Sequence, residues 1–333
     1  MKRNWAIEKS VCLTVMALGT ALGFAATTPT LKEISLGEST ASPLSLASES
    51  SATAVAEVSA ADLSGGPEGI AFDGSYIWIA RQFNNSVIRV QAKQGAKAGT
   101  IPVGNRPMAV VSDKNSVWVA NYLDNTVMKL RPSDGLILAT VDVGDGPGGL
   151  AFDGANIWVA NRNDNTVTKL RARDGAKLGT FSVGVRPIGL AFDGASIWVA
   201  NMHGNTVTKL RASDGAVLGT YRAGAGPFAV AFDGTSIWVT NFFGVEVTKI
   251  RPSDGAVLGL FPVGDCPTGI TFDGSTLWVA NSGSNTVVQL EPTTGKVLTT
   301  FGTGRGPFGV AFDGTNIWVA NFASDSVSTT LTP

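Results

Sequence analysis

Acid–base or metal chemistry in this chain has few residues to draw on. His203 is its only histidine, and beyond Gly65 the glutamates are Glu68, Glu246 and Glu291. A lone imidazole works as a general base only with an acid fixed beside it, and no neighbour in the sequence fixes one. Seven aspartates do recur at a spacing of 40 residues: Asp73, Asp113, Asp153, Asp193, Asp233, Asp273 and Asp313. Most open an Asp-Gly pair, which reads as a tight turn whose carboxylate accepts from its own backbone. Carboxylates spread over separate structural units are too far apart to share an ion. No catalytic residue, no metal ligand and no cofactor is therefore assigned.

The same spacing governs the whole chain from Gly65 onward. Trp78, Trp118, Trp158, Trp198, Trp238, Trp278 and Trp318 stand 40 residues apart with no insertion between them. A period of this length marks one supersecondary unit copied many times. Within a copy, turn signals separate four short stretches of strand character. In the third copy these are Gly149–Gly154, Asn156–Asn161, Asn165–Arg171 and Ala176–Gly184. Seven four-stranded antiparallel units predict an all-β, seven-bladed β-propeller. The last copy stops one strand short, and Thr53–Ser64 has strand-like alternation. Pairing of that segment with Ser326–Thr332 is expected to close the ring and remove exposed strand edges. The small column Gly69, Ala109, Gly149, Gly189, Ala229, Gly269 and Gly309 fits seven inner strands crowding the axis, and the tryptophans fit packing between blades.

Strand direction alternates within a blade, so the loops sort onto two faces. The Asp turns fall on one. The loops between second and third strands, and the links between blades, fall on the other, and there the copies disagree. That face gathers Arg81, Arg106, Tyr122, Arg162, His203, Phe242, Phe243, Asp265 and Arg305 as candidate binding residues, with Glu68, Phe83, Arg186, Phe228, Phe308 and Phe322 nearby. Arginine and aromatic side chains together are what interface hot spots are made of. Phe242 and Phe243 are expected to be exposed, which is costly without a partner. The recurring Asn at the start of each loop reads as a turn residue, and Arg81 breaks that column.

Residues 1–26 carry a basic start, an apolar run from Val11 to Ala26 and small residues at its end. That is the pattern of a secretory signal peptide. Residues 27–52, rich in Ser, Ala and Thr, read as a flexible linker, and 53–333 as the propeller. Cys12 would leave with the signal, so Cys266 is expected to have no intramolecular partner and packing to supply the stability. No later segment is long enough for a membrane span. With 25 basic against 26 acidic residues, scattered along the chain, there is no clustered basic surface for nucleic acid.

The pattern "VGxxPxGLAFDGxxIWVANxxxNTVTKLRxxDGxxLGT" resembles the YVTN-type repeats of bacterial and archaeal surface and periplasmic proteins and is similar to NHL repeats. The resemblance covers about 270 residues. It implies an extracytoplasmic scaffold, secreted, periplasmic or cell-surface, that binds a protein, cell-wall or glycan partner without catalysis. By repeat style the chain also resembles the streptogramin B lyases, a family working with histidine, glutamate and bound magnesium. One histidine and three glutamates do not match that set, which puts a metal-dependent lyase or hydrolase activity in doubt. A structural cell-surface role is the third reading.

Overall fold

A computed structural model describes the backbone of Lys32–Ser35 and the residues from Ser64 to Thr330. The signal peptide, most of the linker and the Thr53–Leu63 stretch lie outside the described residues. Seven four-stranded antiparallel sheets form the ring expected from the repeat. Blade three shows the plan: Pro147–Phe152 is innermost, followed by Asn156–Asn161, Thr166–Arg171 and, at the rim, Lys177–Ser182. The first strand begins two residues earlier than expected, at the proline that ends the interblade link.

The Asp column does more than turn the chain. Asp153 Oδ1 accepts the amides of Ala155 and Asn156 at 2.9 and 2.6 Å, and its Oδ2 accepts the indole N–H of Trp158 at 2.7 Å. The Asp–indole bond recurs in all seven blades. A buried indole N–H needs an acceptor, and here the turn carboxylate provides it. The tryptophans are buried, and each packs on the next blade: Trp158 on Leu190, Ile197 and Val199, Trp318 on Ile70, Ile77 and Ile79. The core is thus seven interblade layers, the last joining blade seven to blade one.

Ring closure by an N-terminal strand holds, but the strand is not the one expected. Lys32–Ser35 pairs antiparallel with Ser326–Thr329, Lys32 opposite Thr329 and Ser35 opposite Ser326. It comes from the segment read as linker. Four residues suffice because blade seven needs only a rim strand, and a rim strand carries little of the apolar alternation that marks Thr53–Ser64 as a candidate.

The glycines nearest the axis are there for want of space. A Cβ on Gly149 would overlap the carbonyl of Ile188, and one on Gly309 the carbonyl of Glu68. Inner strands of neighbouring blades touch backbone to backbone at these positions.

Candidate functional site

The face opposite the Asp turns is built on one repeated backbone scheme. In blade three the loop amides of Arg162 and Asn163 donate to the carbonyls of Gly146 and Asp145 in the link that enters the blade. The preceding blade holds the same link from the other side: the Asn125 carboxamide accepts the Gly146 amide at 3.0 Å. Equivalent bonds run from Arg106 to Asn85, Arg186 to Asn165, Gly226 to Asn205 and Gly306 to Asn285, and Asp325 takes the Gly66 amide to close the ring. The asparagine that opens each loop is not a turn residue but a buried clamp. Asn161 is fully enclosed, with its Nδ2 donating to Thr166 and Thr168 at 3.0 and 2.9 Å. Arg81 substitutes for this clamp in blade one: it is 5% exposed and reaches the Ser86 hydroxyl with Nε at 3.1 Å and Nη2 at 2.8 Å. It therefore belongs to the framework of the site rather than its surface.

The residue just before each link proline takes a left-handed backbone. Glycine fills it in blades one, three, five and seven, but Arg106, Arg186 and Cys266 adopt it with φ of 57°, 55° and 50°. A side chain there costs on the order of 1 kcal/mol that glycine avoids. Two arginines are kept at strained positions on the rim of the same mouth.

The residues after the prolines ring the opening of the axial channel. Met108, Ile188 and Phe308 are buried there, and Glu68, 4% exposed, accepts from the Gln82 amide at 2.5 Å. Gly148 breaks the ring for a steric reason: a Cβ would sit 2.7 Å from Arg162 Cδ. Arg162 thus lies folded into the mouth, 1% exposed, with Nη2 3.9 Å from Met202 Sδ. Tyr122 stands between two guanidinium groups, 5.1 Å from Arg106 and 6.0 Å from Arg162, within cation–π range. Its hydroxyl donates to Asn163 at 3.4 Å. His203 is exposed beside Arg186, whose carbonyl receives the Met202 amide.

Blades five, seven and one present a different chemistry. Phe243, Phe242, Phe228, Phe308, Phe322 and Phe83 form a continuous chain of rings, with successive centroids 5.4, 5.5, 5.2, 6.0 and 5.8 Å apart. Phe242 is not exposed as expected: it is 3% exposed, packed between Phe228 and Phe243, because the chain of rings supplies its own cover. The open ends are Phe83 at 62% and Phe243 at 44%. Asp265 and Arg305 are exposed at the link entries of blades six and seven, with their amides on the hydroxyls of Ser284 and Ser324. The candidate residues therefore share one face, in two arcs: arginine and tyrosine over blades two to four, phenylalanine over blades five, seven and one. Met108, Gly148 and Ile188 were missed, though their place after the link proline marks them in the sequence, and so was Gln82, which follows Arg81 in its loop.

Behind the mouth lies a channel of 190 Å³ walled by the inner strands, with Ile70, Leu150 and Ile270 among its apolar lining. Among the described residues no three His, Cys, Asp or Glu side chains converge on a possible metal position. Glu68 is bonded to Gln82, and Asp265 and His203 point from separate exposed loops. The donor set does not fit a magnesium centre. Cys266 corrects a further expectation: it is disulfide-bonded rather than lacking a partner. The chain's other cysteine, Cys12, lies outside the described residues.

No family model matches the chain, and no curated protein matches it. Among solved structures, the hydrazine synthase of Kuenenia stuttgartiensis is similar with a TM-score of 0.71 and 21% identity, over 80% of this chain and 96% of that one. A streptogramin B lyase gives 0.70 and 18%, over 81% and 94%. The virginiamycin B lyase of Staphylococcus aureus gives 0.68 and 20%, over 80% and 96%. At these identities the likeness is one of fold: a seven-bladed propeller, distantly similar to the streptogramin B lyase propellers.

Proposed function

We propose that this chain is an extracytoplasmic scaffold that binds a partner, foremost a protein, through the two-arc mouth, and that it does so without catalysis. The observation that carries this reading is the retention of Arg106 and Arg186 at left-handed positions where four other blades use glycine. Such strain is not confined to the mouth, since Lys114 on the Asp-turn face has a φ of 74°; what sets the two arginines apart is that both stand on the rim of one mouth, where their side chains can act together. Arginines beside Tyr122 supply directed donors, and the phenylalanine chain supplies apolar area ending in exposed rings, the mixture on which protein interfaces concentrate their energy. The extracytoplasmic assignment rests on the leader pattern of residues 1–26.

The test is capture from the native cell envelope with the wild type and with a variant carrying Phe83→Ser, Arg186→Gly, His203→Ala and Phe243→Ser. All four sites are partly or fully exposed, so the fold should survive. A partner held by the wild type and lost by the folded variant supports the reading. Equal capture by both sinks the placement, and recovery of glycan or cell-wall material alone replaces protein as the partner class. The streptogramin-lyase fold likeness favours one second reading, a lyase. Turnover of a streptogramin B that chelator abolishes would establish it against the donor geometry described above.

A further inference from the structure

The rim strands of blades one to six each have one edge that pairs with no strand of their own sheet. Such an edge offers its amides and carbonyls to a strand from any other molecule, and proteins blunt it with bulges and charges. Both devices are present here. A bulge stands at the same place in all six rim strands, so the straight edge is the few residues beyond it. Blades one to four add a charge within the strand: Lys97, Asp142, Lys177 and Arg222.

Blade five drops the charge. Its rim strand, Val257–Pro262, reads Val-Leu-Gly-Leu-Phe-Pro. Leu260 takes a place that is threonine in the other five of these strands: Thr100, Thr140, Thr180, Thr220 and Thr300. It is 55% exposed, with Val257 and Leu258 exposed beside it. Blade six also lacks a charge within its rim strand, but it keeps the threonine and has Lys296 directly before it. The main chain of blade five points the same way. The Val263 amide donates inward to the Val245 carbonyl at 2.9 Å, and Phe261 lies opposite Val247. Polar groups of an antiparallel strand alternate in direction, so Leu260 turns its own N–H and C=O outward. The substituted side chain and the open main-chain pair therefore belong to one residue, beyond the bulge.

A charge-free edge centred on leucine fits a charge-free strand, and this chain supplies one: the same strand of a second copy. Antiparallel pairing about Leu260 sets that residue opposite its own mate, with two main-chain bonds exchanged between them, and Leu258 opposite Pro262. The contact is self-complementary and closes at two copies. The same pairing through the rims of blades one to four would bring a charged residue into the contact. We propose that the rim strand of blade five is a homodimer interface, joining two blades into one eight-stranded sheet. The strand runs from the Asp-turn face to the mouth face, so in the dimer the two mouths open in opposite directions.

The experiment is sedimentation equilibrium of the wild-type protein, with hydrogen exchange read at the Leu260 amide. Two short edges make a small interface, so the expected Kd is on the order of 100 μM. The mass should rise to twice that of the monomer and stop, and the Leu260 amide should slow as the dimer forms. Leu260→Lys places like charges directly opposite each other and should weaken the dimer at least about tenfold. Thr140→Lys, the same change at the same place in blade two, should leave Kd unchanged. Leu260→Thr, which installs the residue of the other blades, should also weaken it and serves if the lysine variant folds poorly. A wild type that stays monomeric would overturn the proposal and leave the edge to a strand of another protein. A mass that climbs past twice the monomer, equal weakening by Thr140→Lys, undiminished association of both folded Leu260 variants, or a Leu260 amide that does not slow would overturn it as well.

Discussion

The two faces of the ring use the same kind of bond to opposite ends. On the Asp-turn face the side chain that holds the backbone also holds the core, since each carboxylate ties a turn amide to a tryptophan indole. Every copy must repeat it, and every copy does. On the mouth face the holding is done by main-chain amides and by buried or left-handed asparagines, while neighbouring positions in the same loops remain at liberty to vary. A repeat protein can thus change its surface without renegotiating its fold, provided the side chains that vary are not the ones that hold.

That contrast breaks most sharply at the indoles. Trp198→Ala should cost about 3–5 kcal/mol, read by urea denaturation, whereas Phe243→Ser, at an open end of the ring chain, should stay within about 0.5 kcal/mol. A comparable loss at both would mean that the mouth belongs to the core. Next in size is the clamp: Asn161→Ala leaves Thr166 and Thr168 without their donor and should cost about 1–3 kcal/mol, although the loop it serves is on the variable face. No loss there would return the asparagines to the role of turn residues.

Acid separates the faces in a graded way. Burial raises the Asp273 carboxyl, but the amides of Thr276 and Ser275 and the indole of Trp278 outweigh it and hold the group at about 2, against an ordinary 3.8. Asp233 is lowered as well, by its bonds to Trp238 and Ser236 working against burial. A depressed carboxyl contributes stability above its unfolded value. That contribution should be whole above pH 3.8 and fade as pH falls toward 2, through the window fixed by Asp273. Asp273→Asn should flatten some of the fall in thermal melts taken across that range. The smallest effect belongs to Arg186→Gly. Relief of the left-handed backbone and the added chain entropy of glycine nearly offset, leaving stability within about 1 kcal/mol, while partner capture drops. Unchanged capture would remove the arginine arc from the binding surface.

Much of this is legible in the sequence. The 40-residue tryptophan period implies seven blades, and alternation places the second strand of blade three at Asn156–Asn161, as found. What escapes depends on contacts between copies. Phe242 reads as exposed until Phe228, one strand away, covers it. Arg162 reads as a loop tip until Gly148 makes room for it, and Asn161 as a turn until its partners on the third strand appear. Alternation points to Thr53–Ser64 as the closing strand, but rim strands such as Lys177–Ser182 are mostly exposed on both sides, so strength of pattern is a poor guide to that position.

The clasp of Lys32–Ser35 on Ser326–Thr329 sets how the ring answers a mechanical load. Lys32 lies opposite Thr329, so a pull on the chain before Lys32 and after Thr329 meets both strands at the same end. The pairs then separate in succession, as in a zipper, rather than sharing the force in shear. Tension along the chain would release the rim strand of blade seven well before it disturbed the tryptophan layers, and the ring would yield first at the sheet where its beginning and its end are joined.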